Sequence, residues 1–196
     1  QEILDELATM ATEEDQAWLS GRCSGTMYCG DMDHYAFLTE AFGKFAHVNV
    51  LQRDICPSAT KFEAEITAMT LELFHAADAV DPVTGTRPCA SVTSGGTESI
   101  ITALLAYRDH ARATRGIDRP NLVMPDTAHP AFEKGCHLFG IECRKAPTGE
   151  DTLVDVAAVA GLIDRDTVAI VGSAGNYPYG TIDPIAALSD LALERG

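Results

Sequence analysis

The sequence predicts an α/β fold: a mainly parallel sheet with helices on both faces, preceded by a helical segment. Three observations carry this. From Thr97 onward, helical and strand patterns alternate. The strand candidates are short apolar runs, Asn121 to Met124, Ile141 to Arg144 and Val168 to Val171, with a helical stretch between each pair. That alternation is the mark of parallel strands joined by crossover helices. Before residue 59 the pattern is helical and turn-like, so the chain divides into a helix-and-loop segment over 1–58 and an α/β region over 59–196.

Each element has its own signal. Glu2 to Trp18 reads as a helix with Ile3, Leu4 and Leu7 on one side. Gly21 to Asp31 is glycine-rich and turn-like. A second helix is expected from His34 to Ala46, then an irregular connector from Asn49 to Ser58. In the next helix Phe62, Ile66, Met69 and Leu73 recur at the spacing of one buried face. Asp81-Pro82-Val83-Thr84-Gly85 ends it with turn chemistry. Thr97 to Arg115 is a helix with Ile100, Ile101, Leu104 and Leu105 inward. Further helices are expected over Ala131 to Phe139, Val154 to Ile163 and Ile185 to Glu194, the last with Asp183-Pro184 at its start.

The 196 residues suit one ordinary domain or part of a larger one. Hydrophobic residues make up 46% and charged residues 22%, enough for a sizeable core. The formal charge of −15 repels phosphate backbones and anionic membrane surfaces, which argues against nucleic acid as a partner. The six cysteines form no C-x-x-C pair and no Cys/His cluster of zinc spacing. Reduced thiols in a cytoplasmic protein fit them better than a disulfide frame. Cys136 and His137 both read as packing residues. No stretch is apolar enough to span a bilayer. The first residue is Gln1 and no signal peptide is visible, so the chain is expected to start inside a longer protein.

The segment with most chemistry in it is Ser94-Gly95-Gly96-Thr97-Glu98-Ser99. Paired glycines let a backbone turn sharply and approach a ligand. The first N–H groups of the following helix lack internal partners and, with the helix dipole, form an anion site. Ser94, Thr97 and Ser99 add hydroxyls. The same residues also suit a capped helix start that binds nothing. The phosphate-loop pattern G-x-x-x-x-G-K and the dinucleotide pattern G-x-G-x-x-G are both absent.

Thr93 to Asp109 (TSGGTESIITALLAYRD) resembles the cofactor-phosphate segment of the sphingosine-1-phosphate lyase family, within the decarboxylase-like enzymes that use pyridoxal 5'-phosphate (PLP). Four further segments agree in order: Ser24 to Tyr28 with Gly30-Asp31, Lys61 to Ile66, His129 to Lys134, and Gly180 to Pro184. The resemblance runs from about Gly21 to the end of the chain. It implies the large domain of a PLP-dependent transferase-like fold (fold type I, aspartate-aminotransferase type). Here that domain is incomplete: 59–196 would be its first part, and 1–58 would contribute to the active-site mouth. The resemblance also implies a homodimer with shared active sites and a small-molecule substrate. The implied reaction is retro-aldol cleavage of a phosphorylated long-chain amino alcohol to an aldehyde and phosphoethanolamine.

Carried over position by position, Gly96 and Thr97 match residues that hold the PLP phosphate, with Ser94 and Gly95 shaping the loop. His129 matches a histidine that stacks on the pyridine ring. Without the resemblance it would read as a cap or surface residue. Asn49 matches an asparagine near the cofactor and would otherwise read as a turn residue. Tyr28 and Tyr177 match tyrosines at the active-site mouth, candidates for proton transfer or, for Tyr28, for the substrate phosphate. Gln52 is a candidate for the same phosphate. It stands where the family usually has histidine, as Tyr179 does, while Val50 replaces a usual proline. The Schiff-base lysine and the pyridinium-partner aspartate of the family have no match in this chain. Its lysines, Lys44, Lys61, Lys134 and Lys145, read as structural or surface residues. The chain alone is therefore expected to be inactive and truncated. Two other readings remain open: a group II amino-acid decarboxylase, and a non-catalytic fragment of such an enzyme.

Overall fold

The structure is a computed structural model, described over residues 1–21, 31–81 and 85–196. It contains two compact units, Gln1–Glu72 and Leu73–Gly196. The first unit holds α1 (Glu2–Leu19), α2 (Met32–Phe45) and nearly all of α3 (Pro57–Leu73). The division expected after Ser58 falls inside the first turn of α3. Pro57 opens that helix because a first-turn residue needs no N–H donor. Asp31 starts α2 two residues ahead of expectation: its carboxylate accepts from Asp33 N at 3.0 Å and His34 N at 3.2 Å.

The apolar spacing of α3 forms a helix, but its face is not buried within the chain. Phe62, Ile66 and Met69 are 42%, 48% and 61% exposed, and no residue of α2 or α3 is buried. Ile3, Leu4 and Leu7 of α1 are exposed as well. A few amphipathic helices have too little apolar surface to enclose one another. One local contact stands out, Phe45 edge-on to Phe62 at 5.4 Å.

The second unit holds a short 3₁₀ turn (Ala76–Asp78), then α4 (Gly96–Arg115), β1 (Asn121–Pro125), α5 (Ala131–Phe139), β2 (Glu142–Ala146), α6 (Val156–Leu162), β3 (Thr167–Ile170) and α7 (Ile185–Arg195). The strands are parallel in the order β2-β1-β3. Every residue of the central strand β1 is buried, as expected where helices cover both faces. Successive side chains of a strand point to opposite faces. Leu122 and Met124 accordingly join Leu104, Cys136, Ile141 and Val171 in one core. Val123 joins Ala146, Val154, Val159, Leu188 and Leu191 in the other. Each such burial contributes about 1.5–3 kcal/mol for a large aliphatic side chain. Gly135 lets α5 lie close on α4, since a Cβ there would come within 2.5 Å of Leu104 Cδ1.

Local chemistry explains where elements begin and end. Gly140 closes α5 in the left-handed conformation (φ 66°), so Ile141 drops into the core and β2 starts one residue later. Asp155 caps α6 by accepting from Ala157 N (2.8 Å) and Ala158 N (3.1 Å), leaving Val154 outside the helix and buried. One expectation needs correction. Cys136 is a packing residue, its thiol pushed up to about 12 by burial and by Cys143. His137, one residue further round the helix, is exposed instead. Asp183-Pro184 stands at the start of α7 as expected, with Pro184 the N-cap residue, and the buried Asp183 carboxylate accepts from Ser173 N (2.8 Å) and Val154 N (3.2 Å).

A polar network ties the N-terminal ends of β1 and β3. The buried Asn121 donates to Asp164 (2.8 Å) and accepts from Thr167 Oγ1 (2.7 Å), while Arg144 donates to Asp164 (2.7 Å). These donors, Asn121 first, hold the Asp164 carboxyl down to about 2.

Candidate active site

The strand order creates a place for a ligand. The chain leaves β1 for β2 on one side, then crosses to β3 on the other. In open α/β sheets ligands lie beyond the carboxyl ends of strands at such a reversal. His129 follows β1 and Tyr177 follows β3, and the structure brings these two together. Their rings meet edge-on, with centroids 4.8 Å apart and planes at 75°. His129 is half-buried, and its Nδ1 accepts from Ala131 N at 3.1 Å. That bond orients the imidazole, and in its neutral form Nε2 carries the proton.

The second component is the start of α4. Gly95 is the N-cap residue, and Gly96, Thr97 and Glu98 form the first turn. Among the described residues no acceptor meets the N–H groups of these first-turn residues. A Cβ at Gly95 or Gly96 would find nothing within 4 Å, so the space above the helix start is open. The neighbouring hydroxyls divide. Ser99 is bonded to Thr93 Oγ1 (2.6 Å) and donates to Gly95 O (3.3 Å). Ser94 is occupied too: its N–H donates to Glu98 Oε2 at 2.6 Å, and its side chain shares that carboxylate, holding Glu98 below the usual range. Thr97 keeps its hydroxyl exposed. The usable anion donors are thus the backbone N–H groups and Thr97. Ile100 of α4 and Ala128, beside His129, pack on the same core, which places both components on one framework.

Three further expected site residues are Tyr28, Asn49 and Gln52. Tyr28 falls outside the described residues. Asn49 and Gln52 belong to the first unit, where Asn49 Oδ1 accepts from Leu51 N (3.1 Å) and Asn49 O from Gln52 N (3.0 Å) in an exposed turn. Lys44 pairs with Glu40, Lys61 with Glu65, and Lys145 with Glu133, while Lys134 is exposed on α5. Among the described residues there is no His/Cys/Asp/Glu group suited to a metal, and no helix is long and apolar enough to cross a membrane. Sequence reasoning missed Asn176, which is buried and organises the loop bearing Tyr177. Its signal was the turn chemistry of Asn176-Tyr177-Pro178-Tyr179-Gly180.

No protein-family model matches the chain. Whole-protein comparison does find relatives. The sphingosine-1-phosphate lyase of Drosophila melanogaster is 42% identical over 178 residues, 90% of this chain and 31% of that protein. The enzyme of the same name from Arabidopsis thaliana is 37% identical over 198 residues, 100% of this chain and 36% of that protein. A solved sphingosine-1-phosphate lyase from Burkholderia pseudomallei is 54% identical and superimposes with a TM-score of 0.92, covering 99% of this chain and 44% of that one. The chain matches the sphingosine-1-phosphate lyase family. It spans about a third of the length of the curated lyases it matches. Glutamate decarboxylase from Lactobacillus brevis also superimposes, at 25% identity and a TM-score of 0.66 over 80% of this chain and 36% of that one. The Burkholderia lyase and this decarboxylase thus share the α/β framework seen here.

Proposed function

We propose that this chain supplies the phosphate-binding and ring-stacking part of a PLP-dependent carbon–carbon lyase. Its substrate would be a phosphorylated long-chain amino alcohol, cleaved to an aldehyde and phosphoethanolamine. The observation that carries this is the contact between His129 and Tyr177 at the strand reversal.

The residues present fit a phosphorylated pyridine ring. The N–H groups of Gly96, Thr97 and Glu98, which meet no acceptor among the described residues, suit a phosphate with the dipole of α4 behind them, and Thr97 adds a hydroxyl donor. His129 offers a flat ring with a fixed orientation. Tyr177, 68% exposed at the loop tip, can hold or pass a proton through its phenol. When bound, PLP supplies the electron sink for carbon–carbon cleavage. The residues described here bind and orient it.

The exposed apolar faces of α2 and α3 support a homodimer, because extended apolar surface marks interfaces. Sedimentation of the intact enzyme at twice the monomer mass is the expected result. The free thiols of Cys56, Cys89, Cys136 and Cys143 suit a cytoplasmic setting. The competing decarboxylase reading draws on the kinship with glutamate decarboxylase, and on neutral Gln52 and Tyr179 where the lyases usually carry histidine. Product analysis separates the two. Aldehyde with phosphoethanolamine is expected, whereas carbon dioxide from an amino acid with no aldehyde overturns the lyase assignment.

A further inference from the structure

The loop between β3 and α7 carries Tyr177 at its tip, yet neither Tyr177 nor its neighbour Tyr179 is buried. What shapes the loop is Asn176, which is 3% exposed. Its Nδ2 donates to Thr152 O at 3.1 Å and Thr181 Oγ1 at 2.7 Å, and its Oδ1 accepts from Tyr179 N at 3.0 Å. Its backbone N–H donates to Thr181 O (2.7 Å), and its carbonyl accepts from Gly180 N (2.9 Å). The amide thus bonds Tyr179 and Thr181, both beyond Tyr177 in its own loop, and Thr152 of a second loop. That second loop joins β2 to α6 on the same side of the sheet. Thr152 within it adopts a left-handed conformation (φ 64°), uncommon for a β-branched residue, and bonds Thr181 through its hydroxyl at 2.8 Å. Conformations of this kind persist only where the surroundings over-determine them.

Resting on the PLP reading above, we propose that Asn176 is a positioning residue: by tying the Tyr177 loop to Thr152 and Thr181 it holds the Tyr177 ring against the edge of His129, and so fixes the ring that stacks on the cofactor. His129 is then held from two directions, by Ala131 N–H on Nδ1 and by Tyr177 on its ring. Without the Asn176 amide the loop keeps its ends, at β3 and at the buried Asp183, but its tip is released.

A double-mutant cycle on the full-length enzyme tests this, read as the PLP dissociation constant by absorbance titration of the apo form. Asn176→Ala is expected to weaken PLP binding about tenfold in the wild-type background. In a Tyr177→Ala background the same change should alter it by no more than about twofold, because the residue it acts through is gone. Thr181→Val, a milder change that removes one partner of the amide, should show the same pattern at smaller size. An equal loss in both backgrounds would make Asn176 a scaffold residue and overturn the proposal, as would unchanged binding in the wild-type background. A wild-type enzyme that takes up no PLP would overturn the functional reading itself, and the positioning role with it.

Discussion

Helices α3 and α4 carry the same kind of apolar spacing but end in different surroundings. In α4, Leu104 and Ala111 are buried, and Leu104 packs with Leu122 and Met124 of β1. In α3, Phe62, Ile66 and Met69 follow a matching rhythm and stay exposed. The difference lies in what each face can meet. α4 lies on a strand whose every residue is buried, whereas α3 belongs to a unit whose described elements are all helices. Periodicity reports that a face needs cover. Whether the same chain contains the cover depends on contacts distant in sequence.

The largest effect that would sharpen this contrast is in the core of the second unit. Leu122→Ala should cost about 2–5 kcal/mol in denaturant unfolding, from lost burial and the cavity left behind. Met69→Ala, on the exposed face of α3, should stay within about 0.5 kcal/mol in the monomeric chain. A loss at Met69 as large as at Leu122 would break the comparison. Thr97→Val comes next: losing a hydrogen bond to a charged phosphate should weaken PLP binding by about 1.5–3 kcal/mol, measured by titration of the intact enzyme. Thr127→Val should change stability little or raise it slightly, since Thr127 Oγ1 is buried without a partner among the described residues. Clear destabilisation in a thermal melt would reveal a partner for that hydroxyl in the assembled enzyme. The smallest effect is on pH. Asp164 has its folded-state carboxyl lowered from 3.8 to about 2. Its contribution is therefore fully present above pH 3.8 and is lost as pH falls towards 2. Asp164→Asn should flatten the acid limb of stability over that interval, and an unchanged limb would count against the network.

The α/β unit was legible because its elements carry local signals: β1 and α5 lie where apolar runs and turn residues placed them, to within one residue. Asp155 and Gly140 moved boundaries by only a residue or two. In the site, the helix start at Gly96 and the post-strand position of His129 were visible for the same reason. What stayed hidden depends on long-range pairing. Asp183 does stand at a helix start, but its carboxylate also serves Val154 and Ser173, which are distant in sequence or in another segment. Ser94 and Ser99 looked like phosphate donors, yet their bonds run to Glu98 and Thr93. Asn176 went unread, because its partner Thr152 comes from another loop.

The proposed cofactor site lies at the carboxyl ends of β1 and β3, with the start of α4. A crystal structure of the intact enzyme grown with PLP tests it most directly. The expected result has the phosphate on the N–H groups of Gly96, Thr97 and Glu98, and the pyridine ring on His129 beside Tyr177. A phosphate held elsewhere, with these N–H groups facing only water, would contradict it.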